Sequence, residues 1–369
     1  MPDDRLPVPD RYCLHFDLDA CFAAIEAIED PTLAGKPVIV GARPGTRGVV
    51  STCSYEARAL GIHSAMPINE AYRRCPQGVF LPVRHTLYRQ YSDRVFKIVA
   101  RHTDRMQPIS IDEAFVDLSG FHEPEAVARN IKQQIRSEVG LVASMGLASS
   151  KLVAKVASDQ GKPDGFVVVP HGAEAAFLAP LPVRRLWGVG PKTATRLIEA
   201  GIETIGAIAS AEPGLLIPLV GPKYARELQQ HALGIDDSPV EIHREIKSIS
   251  EEVTFQRDED DRRILWEVLR TQADECVSRL TDRGLVARTV TIKLRYSDFR
   301  TATRAMTLSA CTQDAEVIRE AAAALMRRCW ALERLPLRLL GLRLSGLQPS
   351  SGFQQLLLDL DPQPPTGIN

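Results

Sequence analysis

The sequence lacks a long apolar run and a recognisable targeting segment. No stretch of its 369 residues approaches the roughly eighteen uncharged apolar residues that a membrane-spanning helix requires. The first five residues are Met-Pro-Asp-Asp-Arg, whereas a secretory signal peptide begins with positive charge and continues with an apolar segment. We therefore expect a cytoplasmic protein without a membrane anchor.

Cysteine is scarce, and its spacing excludes two further classes of protein. The chain has seven cysteines, an odd number, and no two of them form a C-x-x-C pair. A small secreted domain usually has an even set of cysteines, and a structural zinc site has closely spaced ones. The cysteine content therefore favours a reduced protein without a disulfide framework or a zinc site.

The chain also lacks a strong net charge. Its formal net charge is −1, although proteins that bind nucleic acid usually carry a basic surface. Basic residues are nevertheless concentrated between positions 283 and 304, where six of them stand against one acid. These six are Arg283, Arg288, Lys293, Arg295, Arg300 and Arg304. This distribution predicts modest intrinsic affinity for DNA.

Two acidic motifs adjoin apolar runs. Asp17-Leu18-Asp19 follows the run at 12–16, and Asp112-Glu113 precedes the run at 114–118. Short apolar runs of this kind predict buried strands, and carboxylates at their ends are costly to bury unless a cation neutralises them. Acids from separate strands that converge on divalent cations form a two-metal phosphoryl-transfer site. Either motif alone is also compatible with ordinary loop acids.

The segment between the acidic motifs adds groups that suit a phosphate. Residues 20–26 have a helical pattern that places Phe22 within a turn of the acids, and residues 49–58 run from a strand into a helix. Tyr55 and Arg58 are three residues apart in that second helix, so they share one face. Arginine offers a planar fork of donors to an anionic phosphate. The same pair also fits a solvated helix face.

With these motifs the chain resembles the Y-family translesion DNA polymerases, of the DinB or DNA polymerase IV branch. The motifs that carry the resemblance are residues 17–26, 54–58, 110–115, 149–155 and 161–165. Their order and spacing match that family from about residue 11 to about residue 348. The resemblance implies a template-directed DNA polymerase of low fidelity that bypasses DNA lesions.

The resemblance implies an α+β multidomain fold of the right-hand polymerase type, and the length allows two or more cores. Its parts are a palm at 1–20 and 85–170, small fingers at 21–84, a helical thumb with a helix-hairpin-helix at 171–240, a linker at 241–247, an α/β little finger at 248–348 and a tail at 349–369. The residue pattern predicts palm helices at 88–101, at 125–138 and from near 150, and palm strands at 141–147 and 165–169. In the last domain it predicts helices at 264–280 and 314–330 and strands at 287–296 and 337–344.

Two regions are candidates for DNA contact. Residues 186–194 read as a helix, a Gly-x-Gly hairpin and a second helix, in which Gly188, Gly190 and Lys192 would bind a phosphate without reading sequence. A variant of this pattern recurs at 219–225, and a pair of tight turns between helices is the alternative. In the strand at 287–296, alternation predicts one face with Arg288, Val290, Ile292, Leu294 and Tyr296 and another with Thr289, Thr291, Lys293 and Arg295. We expect Arg288, Lys293 and Arg295 to contact the duplex backbone.

The family resemblance implies a metal-dependent mechanism. Asp17 and Asp112 would bridge two Mg²⁺ ions about 4 Å apart, and Mn²⁺ could replace Mg²⁺. Glu113 would complete the ion that activates the primer hydroxyl, and the backbone carbonyl of Leu18 would complete the other. Asp19 is expected to support the ligands rather than to bind metal. His15, His63 and His85 lack metal-ligand spacing and are predicted to be structural.

The resemblance also assigns the contacts to a deoxynucleoside triphosphate. Tyr55, Arg58 and Lys162 would hold the β- and γ-phosphates, and Thr52 could add a hydroxyl contact. Ser51 and Thr52 would roof the new base pair. Phe22 stands at the position of the aromatic steric gate that excludes a 2′-hydroxyl. Cys21 stands where the family usually has a second aromatic residue, and this departure affects the packing against the sugar.

The tail suggests a protein partner. Residues 355–360 resemble the bacterial sliding-clamp-binding peptide, with Gln355, Leu358 and Leu360 as contacts, and the alternative is a tail that packs back onto the protein. The expected partners are therefore primer–template DNA, nucleotides and a sliding clamp, with the chain itself a monomer. The competing functional readings are a catalytically inactive scaffold, a helix-hairpin-helix DNA-binding protein and a nucleotide cyclase-like enzyme.

Overall fold

The computed structural model of the chain describes residues 11–242, 245–332 and 335–350. The predicted clamp-binding peptide at 355–360 lies outside these residues. The chain divides into two compact units, Met1–His243 (unit 1) and Arg244–Asn369 (unit 2). Among the described helices, none combines the length and apolar character needed to cross a bilayer.

Unit 1 alternates strands and helices in its first two thirds and is helical in its last third. Its strands are β1 Cys13–Leu18, β2 Val38–Gly41, β3 Val50–Cys53, β4 Val79–Leu81, β5 Met106–Pro108, β6 Glu113–Asp117, β7 Ala143–Ala148 and β8 Phe166–Val168. Its α-helices are α1 Cys21–Glu29, α2 Tyr55–Ala59, α3 Ile68–Arg74, α4 His85–Ala100, α5 Pro124–Gln134, α6 Lys151–Gln160, α7 Glu174–Leu178, α8 Pro191–Glu199, α9 Ile205–Ser210, α10 Pro213–Val220 and α11 Pro222–Ala232.

Five strands form a central sheet in the order β5-β6-β1-β7-β8. β1 is antiparallel to both of its neighbours and is buried along its whole length apart from Asp17. Its alternate side chains face two cores: Leu14, Phe16 and Leu18 pack with α1, α4 and α5, whereas Cys13 packs with α6 and the helices that follow. Burial on both faces explains why most residues of β1 are apolar.

A small sheet of order β3-β2-β4 lies in the segment between β1 and α4. Together with α2 and α3 it has its own core, which includes Ile39, Ile62 and Met66. β2 pairs antiparallel with β3 and parallel with β4. The strand-to-helix reading of residues 49–58 is confirmed, since β3 ends at Cys53 and the Ser54 side chain caps the first turn of α2.

The helices predicted in unit 1 form with shifted ends. The helix predicted at 125–138 is α-helical only to Gln134 and continues as a π-helical turn, Ile135–Val139, which ends at Gly140 with φ of 80°. The segment before the Gly-x-Gly hairpin was predicted to be a helix, and this was wrong. It is a short 3₁₀ turn, Val183–Arg185, after which the chain is extended at Leu186.

Unit 2 is a four-stranded antiparallel sheet packed against two helices. Its elements are β9 Ser248–Glu259, α12 Arg262–Thr281, β10 Leu285–Tyr296, β11 Thr301–Thr312, α13 Ala315–Leu332 and β12 Leu337–Pro349, with the sheet order β11-β10-β12-β9. The strands β9 and β11 had not been predicted from the sequence. The core contains Val290, Ile292 and Leu294 of β10, together with residues of both helices.

The predicted face pattern of β10 holds from Thr289 to Tyr296 and was wrong for Arg288. Arg288 is exposed, and Ala287 takes the next core position before Val290. The reason is an irregularity in the pairing of β10 with β11, whose register shifts between Ala287 and Thr289. An irregularity of this kind interrupts the strict alternation of side chains.

Candidate active site

Antiparallel pairing of β1 with β6 brings the two acidic motifs together. Asp17 lies directly opposite Glu113, and the Leu18 amide donates a hydrogen bond of 2.9 Å to the Asp112 carbonyl oxygen. Because side chains alternate along a strand, Asp17 shares the face of Cys13, which packs with α6. Acids that are far apart in the sequence therefore meet at one end of the central sheet.

Two lysines neutralise these acids. Lys162 Nζ lies 2.7 Å from Asp17 Oδ2, and Lys155 Nζ lies 2.8 Å from Glu113 Oε2 and 3.7 Å from Asp17 Oδ2. Both ammonium groups also approach Asp159, at 3.1 Å from Lys162 and 3.6 Å from Lys155. Lys155 belongs to a motif singled out in the sequence, but no role in the site had been predicted for it.

Burial and hydrogen bonding move the pKa values of the two carboxyl groups in opposite directions. Burial raises the pKa of Asp17 to about 6, although the Lys162 ammonium opposes this effect. Burial also acts to raise the pKa of Glu113, but the adjacent His15 ring and the hydrogen bond from Lys155 outweigh it and lower the pKa to about 2. Glu113 is thus ionised at neutral pH, and an additional cation beside Asp17 would favour the ionised form of that carboxyl group.

His15 lies behind Glu113 and is fully buried in β1. Its Nε2 is 3.3 Å from Glu113 Oε2, and its Nδ1 is 2.7 Å from Ser158 Oγ. Burial lowers the pKa of His15. His15 therefore joins β1 to α6 behind the acids and does not face a groove, in keeping with a structural role.

The oxygen donors at this strand end suit a hard divalent cation. Mg²⁺ binds carboxylate and carbonyl oxygens, and Asp17, Asp112, Glu113 and the Leu18 carbonyl are of that kind. Over the described ranges, no group of three or more Asp, Glu, His or Cys side chains is arranged as a ready metal cage. Mg²⁺ commonly completes its shell with substrate phosphates and water, so few protein ligands are needed.

A groove of about 220 Å³ opens beside Asp17 and Asp112. It is lined by Asp17, Leu18, Asp19, Ala20, Cys21, Phe22, Ser51, Thr52, Tyr55, Arg58, Ser64, Asp112 and Lys162. All residues predicted to contact the nucleotide line this groove, and so do the predicted metal ligands except Glu113, which lies beside Asp17 across the strand pair. Ser64 had not been predicted.

Asp19 is buried and bonded to other parts of unit 1. Its carboxylate accepts hydrogen bonds from the Tyr55 hydroxyl at 3.0 Å, from Ser144 Oγ at 2.9 Å and from the Asp164 amide at 2.7 Å. The Arg58 guanidinium lies 4.8 Å from the centre of the Tyr55 ring. Asp19 thus anchors α2, β7 and the loop that follows α6.

Phe22 is held in place by a stacked aromatic ring. The Phe22 and Tyr88 rings are 4.1 Å apart at an angle of 14°, and the Tyr88 hydroxyl donates to Glu26 at 2.5 Å. The chain turns from β1 into α1 at Ala20, whose φ of 49° is left-handed. Cys21, the first residue of α1, is 3% exposed and belongs to the core beneath the groove.

The predicted hairpin presents an exposed backbone at a helix N-terminus. Gly188 has φ of 95°, and its carbonyl accepts a hydrogen bond of 2.8 Å from the Tyr224 hydroxyl of α11. Gly190 immediately precedes Pro191, the first residue of α8, and Lys192 is exposed in its first turn. Such a terminus suits a phosphate group.

The solvent face of the unit 2 sheet carries Lys293, Arg295 and also Arg343. Arg343 lies opposite Thr291 and had not been predicted, although alternation of apolar residues in the strand at 337–344 indicates its outward position. Lys293 forms an ion pair of 2.8 Å with Glu252. Arg304 lies opposite Ile292 and so belongs to the helix-covered face of the sheet.

Comparison with known proteins places these features in a family. The model of the impB/mucB/samB family matches residues 16–159, that of its C-terminal domain matches 246–358, and that of the IMS family HHH motif matches 171–202. A "DNA polymerase IV" from Methanoculleus marisnigri is 45% identical over 344 residues, which cover 92% of this chain and 95% of that protein. A protein of the same name from Halorhodospira halophila is 43% identical over 350 residues, covering 94% of this chain and 98% of the relative.

Solved structures that resemble this chain are also DNA polymerases. A "Y-family DNA polymerase chimera Dbh-Dpo4(243-245)-Dbh" is 26% identical, with a TM-score of 0.84, and the match covers 92% of this chain and 99% of the chimera. An "Insertion ternary complex of Dbh DNA polymerase" is also 26% identical, with a TM-score of 0.67 and coverage of 92% and 99%. The likeness extends over both units.

Proposed function

We propose that this chain, which belongs to the impB/mucB/samB family and is a translesion DNA-directed DNA polymerase of low fidelity, performs its chemistry at the groove beside Asp17 and Asp112. The observation that carries this proposal is the register of β1 with β6. It sets Asp17 opposite Glu113 and brings Asp112 alongside, at the mouth of a groove lined by Tyr55 and Arg58.

Y-family polymerases depend on metal ions, and we propose Mg²⁺ as the metal, with Mn²⁺ as a substitute. Asp17 and Asp112 would bind two ions, Glu113 one of them and the Leu18 carbonyl the other. When bound, the metals would lower the pKa of the primer 3′-hydroxyl and stabilise the charge of the transferring phosphoryl group. Lys155 would remain beside Glu113 and Asp17 and offset the charge of the carboxylates in the closely packed site.

The triphosphate would be bound by Tyr55, Arg58 and Lys162, with Thr52 adding a hydroxyl contact. Arg58 can form paired hydrogen bonds with phosphate oxygens. Lys162 forms an ion pair with Asp17 in the structure. When a metal ion neutralises Asp17 instead, Lys162 would be available to bind the β- and γ-phosphates. Donors fixed in advance at these oxygens stabilise the charge that develops on pyrophosphate.

Sugar and base contacts follow from the other walls of the groove. Phe22, supported by the Tyr88 ring, would exclude a 2′-hydroxyl. Ser51 and Thr52 are small residues of β3 and would roof the base pair with room for a damaged template base. Cys21 lines the groove but is almost fully buried, so its replacement of the usual aromatic would act mainly on the packing against the sugar.

The proposed partners include DNA, consistent with the ternary-complex structure that resembles this chain. The hairpin of Gly188, Gly190 and Lys192 would bind backbone phosphates, as would Arg288, Lys293 and Arg295 in unit 2. We also propose that the segment at 355–360 binds the bacterial sliding clamp. The protein would be a monomer and would be located in the cytoplasm.

Primer extension tests the proposed function. With Mg²⁺, a labelled primer on a longer template should be extended by all four deoxynucleotides and past a damaged base. Asp112→Ala should reduce incorporation by at least roughly a thousandfold, as loss of an essential catalytic group does, while binding of primer–template is retained. A chelator should abolish extension by the wild type.

A matched control is Asp93→Ala, since Asp93 is an exposed acid on α4 outside the groove. It should extend primers at the wild-type rate. A wild type that binds DNA without extending it would support the inactive scaffold instead. Pyrophosphate release from triphosphate in the absence of DNA would point to a cyclase-like reaction.

A further inference from the structure

The loop at residues 161–165 carries Lys162 and is tightly folded. Asp164 has a left-handed backbone with φ of 56°, and its amide donates a hydrogen bond of 2.7 Å to Asp19 Oδ2. An added Cβ at Gly165 would lie 2.0 Å from the Gly161 carbonyl oxygen, so the two ends of the loop are in contact. The position of Lys162 is therefore tied to the conformation of Asp164.

The Asp164 carboxylate forms ion pairs with two cationic side chains, Lys132 and Arg136. Lys132 Nζ lies 2.9 Å from Asp164 Oδ1, and Arg136 Nη2 lies 2.9 Å from Asp164 Oδ2. Lys132 also donates to the carbonyl oxygens of Ala143 and Gly165, so it joins β7 to the loop. Lys132 is in α5 and Arg136 in the π-helical turn that continues it, and neither residue lines the nucleotide groove.

We propose that Asp164, held by Lys132 and Arg136, is a positioning residue that sets the place of Lys162 for binding the triphosphate of the incoming nucleotide. This inference rests on the proposed function, since it assigns Lys162 to the phosphates. It adds residues outside the groove to the determinants of nucleotide affinity.

Asp19 connects Asp164 to Tyr55, the second residue proposed to bind the phosphates. The carboxylate that accepts the Asp164 amide also accepts the Tyr55 hydroxyl and Ser144 Oγ. A shift of Asp164 therefore removes a donor from Asp19 and loosens its hold on Tyr55. Lys162 and Tyr55 belong to different elements. The hydrogen bond between Asp19 and Asp164 connects the loop that carries Lys162 to the carboxylate that binds Tyr55.

Single-nucleotide incorporation by the full chain tests the role of Asp164. In Asp164→Asn the side chain tolerates the left-handed backbone but loses its charge. We expect the KM for the deoxynucleotide to rise about tenfold, equivalent to about 1.4 kcal/mol, with kcat, DNA affinity and the unfolding temperature close to wild type. Lys132→Gln should act in the same direction, and Lys132→Arg should restore most of the affinity. The double variant Asp164→Asn/Lys132→Gln should show less than the sum of the single effects.

Arg129→Gln is the matched control, because Arg129 is in α5 but pairs with Glu125 and lies over the Phe166 ring. It should leave the KM for the nucleotide unchanged. A wild-type KM in Asp164→Asn would overturn the inference, as would a parallel loss of kcat and unfolding temperature, which indicates a role in folding alone. Absence of extension by the wild type, in contrast, would overturn the proposed function itself.

Discussion

At the scale of single residues, the site is an arrangement of paired charges. Buried carboxylates are costly without partners, and here Lys155 and Lys162 supply them for Glu113 and Asp17. Lys155 contacts three acids, Glu113, Asp17 and Asp159, whereas Lys162 lines the groove in which we propose that the nucleotide binds. Under the proposed function the two lysines would have different roles, Lys155 in neutralising the acids and Lys162 in binding the triphosphate.

Replacement of Phe22 tests the selection of deoxynucleotides. Phe22→Ala removes the ring that lies at the groove on top of Tyr88, so space opens where a 2′-hydroxyl would stand. We expect discrimination between a deoxynucleotide and the matching ribonucleotide to fall by roughly 10- to 200-fold, the range that a single methylene-sized difference provides in a pocket. The measurement is the ratio of kcat/KM for the two nucleotides.

The control for Phe22→Ala is Phe80→Ala in β4, a substitution of the same size outside the groove. Phe80 packs against Tyr72 in the small sheet, so its loss should reduce stability without altering sugar selection. Unchanged discrimination in Phe22→Ala would remove Phe22 from the role of steric gate.

At the scale of secondary-structure elements, strands with an apolar pattern could be predicted from the sequence and others could not. β1, β7 and β10 carry enough apolar residues to read as buried. β9 and β11 are the two outer strands of the unit 2 sheet and are mostly polar, so hydrophobic periodicity gives no signal for them. The outward position of Arg288 could not be predicted from the sequence either, because it depends on the register of β10 against β11.

The candidate site could be predicted as a set of residues but not as a set of contacts. The motif spacing and the family resemblance identified all of the predicted nucleotide contacts that line the groove, although not Ser64. Lys155 meets Glu113 because α6 packs against one face of the sheet that contains β1. Lys132 meets Asp164 because the loop after α6 passes close to α5. Both depend on tertiary packing between elements distant in the sequence, for which no local pattern exists.

The contact of α6 with β7 is a second element-scale feature with a testable consequence. An added Cβ at Gly146 would lie 2.1 Å from the Ala154 carbonyl oxygen and 2.5 Å from the Ser158 amide nitrogen. Because both are backbone atoms, Gly146→Ala must push α6 away from β7. We expect a loss of about 1–3 kcal/mol in the free energy of unfolding, measured in urea, and lower activity because Lys155 follows Ala154.

Gly214→Ala is the control for Gly146→Ala. Gly214 lies in α10, and an added Cβ there would meet no atom within 4 Å. Alanine should therefore raise the free energy of unfolding by about 0.5–1 kcal/mol, because it favours the helix and restricts the unfolded chain. Equal stability of the Gly146→Ala protein and the wild type would contradict the close approach of α6 to β7.

At the scale of the whole molecule, all seven cysteines are free and buried. Burial raises the pKa of Cys13 to about 12 and that of Cys276 to about 11, so little reactive thiolate is present at neutral pH. A colorimetric thiol reagent should label the native protein slowly and all seven thiols in denaturant. Rapid labelling of a thiol in the native protein would show that one of these cores is open to solvent.

Unit 2 has the features of a domain that folds by itself. Its core is drawn from its own sheet and from α12 and α13, and a fragment of residues 245–369 has 125 residues, within the usual size of a domain. We expect this fragment to show a far-ultraviolet circular dichroism spectrum of mixed helix and strand and one cooperative thermal transition. Ile292→Ala should lower its stability by about 2–5 kcal/mol, because Ile292 is fully buried between the sheet and the helices. A fragment that melts without cooperativity, while the full chain retains its activity, would mean that the core of unit 2 is completed by residues before 245.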